Sequence, residues 1–219
     1  MNLRLDWCSY EAAKFAVEHW HYSKSMPASK NVFAGVWENG DFIGAIVFGR
    51  GANNNLQKPF NIKMTEVCEL TRVALKDHND PVSKIVSIAI KMLKRQSPGL
   101  RLIVSYADPE HGHVGSIYQA MNWIYTGAVK CTPKYYLNGK WVHARQANSL
   151  IGTVRGLESR PVADKHRYLY PLDEAMRKQI EPLRKPYPKR SPCGTGEIDS
   201  AAQSNAQTGG ASPTVPLLD

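Results

Sequence analysis

The chain has 219 residues, 42% of them apolar and 9% aromatic, enough for a buried core in one domain with a tail. No run approaches the roughly 18 consecutive apolar residues of a membrane-spanning helix, and the opening MNLRLDW lacks the apolar stretch of a signal peptide, so the chain reads as cytoplasmic. Its four cysteines, Cys8, Cys68, Cys131 and Cys193, are scattered without a C-x-x-C pair, which excludes a zinc ribbon and a disulfide scaffold. All 28 Lys and Arg lie in residues 1–190 with 16 of the 19 acids, so that stretch carries +12. A compact unit so basic expects a polyanion, and nucleic acid is the usual one; solubility charge is the plainer alternative.

In chain order, residues 10–20 place apolar side chains close to helical spacing, with Ser9 as a cap. Residues 33–48 are two β-rich runs flanking Asn39-Gly40, a strong hairpin signal. Residues 67–75 (VCELTRVAL) alternate as a strand. Asp80-Pro81 then opens a helix, Asp as the cap and Pro at the first helical position, which stops at Ser97-Pro98-Gly99. Residues 100–106 (LRLIVSY) predict a strand buried on both faces. A polar loop at 107–113 and a helix at 114–121 follow. A second Asn-Gly hairpin spans 135–143, residues 168–170 suit an edge strand, and 172–183 predict a basic amphipathic helix capped by Asp173 or by the turn at Pro171. Arg184–Arg190 (RKPYPKR) is a proline-broken basic strap, either a phosphate-backbone contact or a solvated linker. Residues 191–219 are small and polar without periodicity and predict a disordered tail. A mixed α/β sheet with helices on both faces follows, with a parallel strand–helix–strand unit over 67–106.

This order resembles the GNAT acyltransferase superfamily. In that fold a helix N-terminus after the central strand cradles the CoA pyrophosphate, two strands splay to make a cleft, and a tyrosine on a later helix can protonate the leaving thiolate. The run GSIYQAMNWIYTG at 115–127 resembles the superfamily's segment, and Tyr118 falls on the tyrosine position. The resemblance implies Val73, Leu75, Ser83 and Lys84 as candidates for holding acetyl-CoA. The expected glycine-rich loop is replaced by KDHNDPVSK at 76–84, where Asp80 is negative and Pro81 lacks an N–H.

A closer set of motifs covers most of residues 15–190: HYSKSMP at 21–27, ELTRVAL at 69–75, YADPEHGH at 106–113, WIYTG at 123–127 and YLYPLD at 168–173. Together, in this order, they resemble the Mom family of phage DNA-modification proteins. That resemblance implies a GNAT-like, iron-dependent enzyme that places a methylcarbamoyl group on the 6-amino group of adenine in double-stranded DNA. Phage DNA is thereby shielded from restriction in the bacterial host's cytoplasm.

Adenine's exocyclic amine is a poor nucleophile stacked inside the duplex, so such an enzyme must extrude the base and supply a proton acceptor and donor. Tyr118 is the candidate acid, or else a core tyrosine. Asp108, just past a buried strand, is a base, a metal ligand or an Asp-Pro turn residue. His111 and His113 with Asp108, and His21 as a third imidazole, are the candidate iron ligands; the plain readings are solvated loop histidines and a helix C-cap. Tyr22 can stack on the extruded adenine. Arg72, in a strand, is a clamp for phosphate or carbonyl oxygen, or a partner of Glu69 or Glu66. Ser105 and Ser116 orient substrate or permit packing. Lys130, Lys134, Lys140, Arg145, Arg155, Arg160, Lys165 and Arg167, interleaved with Tyr135, Tyr136, Trp141 and Tyr168, suit a DNA backbone. Two alternatives remain open here: an ordinary N-acetyltransferase acting on a protein or small amine, and a non-enzymatic DNA-binding protein on the same scaffold.

Overall fold

A computed structural model describes residues 2–51 and 55–189; the tail expected over 191–219 lies outside the described residues. Strand β1 (Leu3–Trp7) turns Leu3, Leu5 and Trp7 toward the core and leaves Arg4 and Asp6 outside. Its five residues carry too short an alternation to stand out in the sequence. Helix α1 (Tyr10–Trp20) starts as expected, with the Ala12 amide donating to the Ser9 hydroxyl at 3.2 Å. β2 (Asn31–Glu38) and β3 (Asp41–Gly49) meet at Asn39-Gly40, whose φ values of 53° and 95° form the type I′ turn this dipeptide favours.

β4 (Val67–Leu75) leads to α2 (Val82–Gln96), whose start departs from expectation. Pro81 is the cap residue, and Asp80 makes no cap bond because its carboxylate is drawn to Lys84 instead. β5 (Leu102–Ala107), α3 (Ser116–Ala120) and β6 (Ile124–Val129) follow. An insertion then builds its own three-stranded sheet from β7 (Lys134–Leu137), β8 (Lys140–His143) and β9 (Ser159–Arg160), with α4 (Ala144–Ile151) packed beside it. The second Asn-Gly hairpin forms here, at φ 50° and 79°. β10 (Lys165–Pro171) and α5 (Glu174–Ile180) close the described fold, and Asp173 caps α5 by accepting the Met176 amide at 2.7 Å.

The main sheet runs β1-β2-β3-β4-β5-β10-β6, and the β4–β5 pair is parallel among antiparallel neighbours. The strand expected at an edge is therefore interior. β10 inserts between β5 and β6, which buries Tyr168 and Leu169 completely. Tyr168 leaves the basic–aromatic cluster for the core, because pairing partners far apart in sequence decide which strand is central.

Both faces carry helices. Ala45 and Val47 of β3 meet Ala13, Ala16 and Val17 of α1, while Ile46 and Phe48 point oppositely into the layer of Ile85 and Ala89 of α2. Leu102 and Val104 pack with Met176 and Ile180 of α5. The strap over 184–189 is largely exposed but not detached: Tyr187 donates to the Trp123 carbonyl at 2.7 Å, and the Lys185 amide donates to the Tyr125 carbonyl at 2.8 Å. No helix among the described residues is long and apolar enough to cross a membrane.

Candidate active site

β4 and β5 pair over three rungs only, Val67↔Leu102, Cys68↔Ile103 and Glu69↔Val104, and then part. Past the last rung a side chain takes over from the backbone. Ser105 Oγ lies 2.8 Å from the Leu70 carbonyl and 2.7 Å from the Tyr118 hydroxyl. A carbonyl only accepts, so Ser105 donates to Leu70 and receives the Tyr118 proton. Tyr118 is buried against Trp123 and Tyr168, and burial raises its phenol well above the ordinary range. Tyr22 and Glu69 push it up as well, so the hydroxyl lies within the electrostatic reach of both.

Glu69 occupies the last rung. Burial raises its carboxyl to about 7 despite the opposing charges of Arg72 and Lys165. Its oxygen lies directly on Gly51: a Cβ there would fall 2.0 Å from Oε2, and φ is +70°. Sequence reasoning met Glu69 only as a partner for Arg72; an acid inside a largely apolar strand was the available signal. Arg72 gives its hydrogen bonds elsewhere, Nε to the Ser25 carbonyl at 3.2 Å and Nη1 to the Thr71 carbonyl at 2.7 Å. It thereby ties β4 to the 21–27 segment. Arg145 of α4 lines the same cavity as Glu69 and Arg72, so the insertion reaches the site.

The 21–27 segment and the turn after β5 meet face to face. The Tyr22 ring, 42% exposed, lies 4.2 Å from His21, 4.4 Å from His111 and 5.0 Å from His113 between ring centroids. His21 is buried, and burial, then Arg72, His113, His111 and Lys24, lowers its pKa to about 3. Its Nδ1 accepts the Ser23 amide at 3.1 Å, which assigns the proton of the neutral ring to Nε2. His21 is the C-cap residue of α1, as the plain reading expects, its amide donating to the Val17 carbonyl at 3.2 Å, but its neutral ring gains nothing from the helix dipole. Asp108 pairs with Lys165 at 2.9 Å and accepts the Glu110 amide at 3.1 Å. Burial would raise its carboxyl, but the Lys165 ammonium outweighs this and holds it below the usual range.

These positions do not suit iron. The Tyr22 ring packs against both loop histidines, and Asp108 is already paired with Lys165. Among the described residues no group of three or more His, Cys, Asp or Glu can hold a metal ion. The proposed set of His21, Asp108, His111 and His113 is corrected on that ground.

The donor side divides. Beyond Glu69 the β5-facing edge of β4, which includes Val73 and Leu75, has no strand partner, as an extended amide-bearing chain requires. The loop before α2 does not suit a diphosphate. The amides of Asn79 and Asp80 and the Asn79 side chain donate to the buried Glu38 carboxylate at 2.8–3.1 Å. Burial would raise Glu38, but these donors hold it low. Lys84 is engaged by Asp80, and the Ser83 carbonyl accepts the Ser87 hydroxyl within α2.

A parallel pair that splays in a mixed, helix-covered sheet is the GNAT-like arrangement. One solved structure of this fold is an aminoglycoside acetyltransferase in complex with coenzyme A and kanamycin: TM-score 0.50, 9% identity, 83% of this chain and 98% of that one. Another is the putative acetyltransferase yncA from Salmonella typhimurium with acetyl-CoA: TM-score 0.47, 13% identity, 80% and 96%. The Mom protein family model matches residues 2–189, and the chain belongs to that family. It is 28% identical over 204 residues to the methylcarbamoylase mom of Escherichia phage Mu, across 86% of this chain and 84% of that protein.

Proposed function

We propose that the protein is a DNA-modifying transferase that places a methylcarbamoyl group on the 6-amino nitrogen of adenine. The observation that carries this reading is the carboxyl of Glu69, poised near neutrality on the last rung before β4 and β5 part, with the buried phenol of Tyr118 joined to the same gap through Ser105. The likeness to the phage Mu methylcarbamoylase supports the choice of group.

The extruded adenine stacks on Tyr22. As the new bond forms at the amino nitrogen, Glu69 takes the proton that nitrogen must shed. Arg72 and Lys165 sit close enough to lower the Glu69 pKa, and the same charges stabilise negative charge developing on the donor. Tyr118, protonated at neutral pH, supplies the proton the leaving group needs by way of Ser105, whose hydroxyl accepts from the phenol and lies at the gap. The donor that balances this transfer would be a thioester already carrying the methylcarbamoyl group, lying along the open edge of β4: its carbonyl–sulfur bond would break as the bond to the adenine nitrogen forms, and the thiol would leave with the delivered proton. Restriction protection of phage DNA follows from the altered base.

Mass spectrometry of nucleosides from DNA co-expressed with the protein tests this. Adenosine heavier by one methylcarbamoyl group is expected with the wild type, and about a hundredfold less with Tyr118→Phe. Unmodified adenine with the wild type overturns the reading; full modification by the variant removes Tyr118 from its role.

A further inference from the structure

Register places five side chains on one face of the inserted sheet. Lys134 pairs with His143 and with Arg160, and Tyr136 pairs with Trp141, while Tyr135 and Val142 face the other way. Val142 and Ala147 of α4 are buried, so the hidden side of the insertion is accounted for. The visible side is not. Tyr136 and Trp141 are 43% and 36% exposed, their rings 5.3 Å apart, and the Arg160 guanidinium lies 5.4 Å from the Trp141 ring.

A core-forming role would bury these rings, and a merely soluble surface would not hold two aromatics side by side. The charge around them is mostly positive. Residues 130–165 contain seven Lys and Arg against two acids, Glu158 and Asp164. The face also continues into the candidate active site. Glu110, in the turn that carries His111, receives Lys134 at 3.1 Å and Arg160 at 3.8 Å, and Lys165 of the adjoining strand holds Asp108.

We infer that this face is the duplex-engaging surface of the enzyme. Its Tyr136–Trp141 pair stacks on the bases left unpaired when the target nucleotide is extruded, and the surrounding cations neutralise the adjoining phosphates. Every base has a π-face, so such a platform holds an opened duplex without reading sequence. Arg160 serves twice, stacking on Trp141 and presenting charge beside it. The inference rests on the proposed function and adds to it the form of DNA that is held.

The test compares the full-length wild type with a Tyr136→Ala/Trp141→Ala double variant. Two probes are used: a fully paired duplex, and the same duplex with an abasic site in place of one adenine, which leaves the opposing thymine unpaired. The wild type is expected to prefer the opened duplex, and the double variant to lose about tenfold in affinity for it, as base–aromatic stacking predicts. Modification of duplex DNA should fall by a similar factor in the variant, and modification of a single-stranded oligonucleotide, whose bases stack on the same rings, should fall with it. Both rings are partly solvent-exposed, so the melting temperature reports whether the variant folds, and Trp141→Leu, which keeps an apolar side chain but no ring, repeats the measurement should it fail. Equal affinity of wild type and variant for the opened duplex, or unchanged duplex modification, overturns the inference while leaving the transferase intact. A wild type that modifies neither substrate overturns the proposed function instead.

Discussion

Glu69 and His21 depart from their ordinary protonation in opposite senses, and both departures have consequences. Burial raises Glu69 to about 7 from 4.5, so its basic form fills in as pH passes through neutrality. The modification rate should therefore climb across that range. In a Glu69→Gln variant the rate should drop by about 10²- to 10⁴-fold and its pH profile should flatten. Stability carries the reverse sign. Between 4.5 and about 7 the folded protein retains a proton that the unfolded chain has released, so this group makes stability fall as pH rises through that window. His21, lowered to about 3 from 6.5, is charged in the unfolded chain and neutral in the fold, so its contribution is lost as pH falls through that window. Melting curves of Glu69→Gln against wild type from pH 5 to 8 separate the two, since the substitution removes only the loss at neutral pH. An unchanged pH–rate profile in the variant would mean that another group takes the amine proton.

The loop between β4 and α2 shows the same kind of internal satisfaction at the level of an element. Its amides already serve Glu38, which comes from a strand 41 residues earlier. A donor bearing a diphosphate finds no free amide at Asn79 or Asp80 and meets the Asp80 carboxylate. Titration calorimetry should accordingly give CoA and pantetheine affinities within about tenfold of each other, a difference of 1.4 kcal/mol. A CoA affinity hundreds of times greater would mean that Glu38 gives way to the ligand. The missing glycines of this loop were visible in the sequence, but the carboxylate that takes their place was not, because only the β2–β3 hairpin brings it there. Elements fixed by local chemistry were legible: the two Asn-Gly hairpins, the Ser9 and Asp173 caps and the alternation of β4. The interior place of β10, the separate sheet of the insertion and the meeting of Tyr22 with His111 depend on contacts between distant segments, and no local periodicity encodes those. Asp80 misled for a related reason: a capping side chain was expected where an ion pair with Lys84 competes more strongly.

Across the whole molecule the basic insertion lies beside the candidate site. Residues 1–190 carry +12, and the insertion brings a concentrated share of it beside the turn that holds Asp108 and His111. Among the described residues eight cations pair with carboxylates, Lys134, Arg160 and Lys165 among them, and exposed residues such as Lys140 and Arg155 carry basic charge on the insertion's surface. Binding dominated by phosphate contact releases counterions, so its affinity must fall steeply with salt. If about six phosphates are neutralised, log affinity against log salt has a slope near −5, and affinity for duplex DNA drops about a thousandfold between 50 and 200 mM. Reversing charge at Lys140 and Arg155 together should reduce that slope by about two while leaving the preference for an opened duplex in place, because stacking on Tyr136 and Trp141 does not involve counterions. A slope near zero in the wild type would assign the positive charge to solubility alone and leave the insertion without a polyanion to hold.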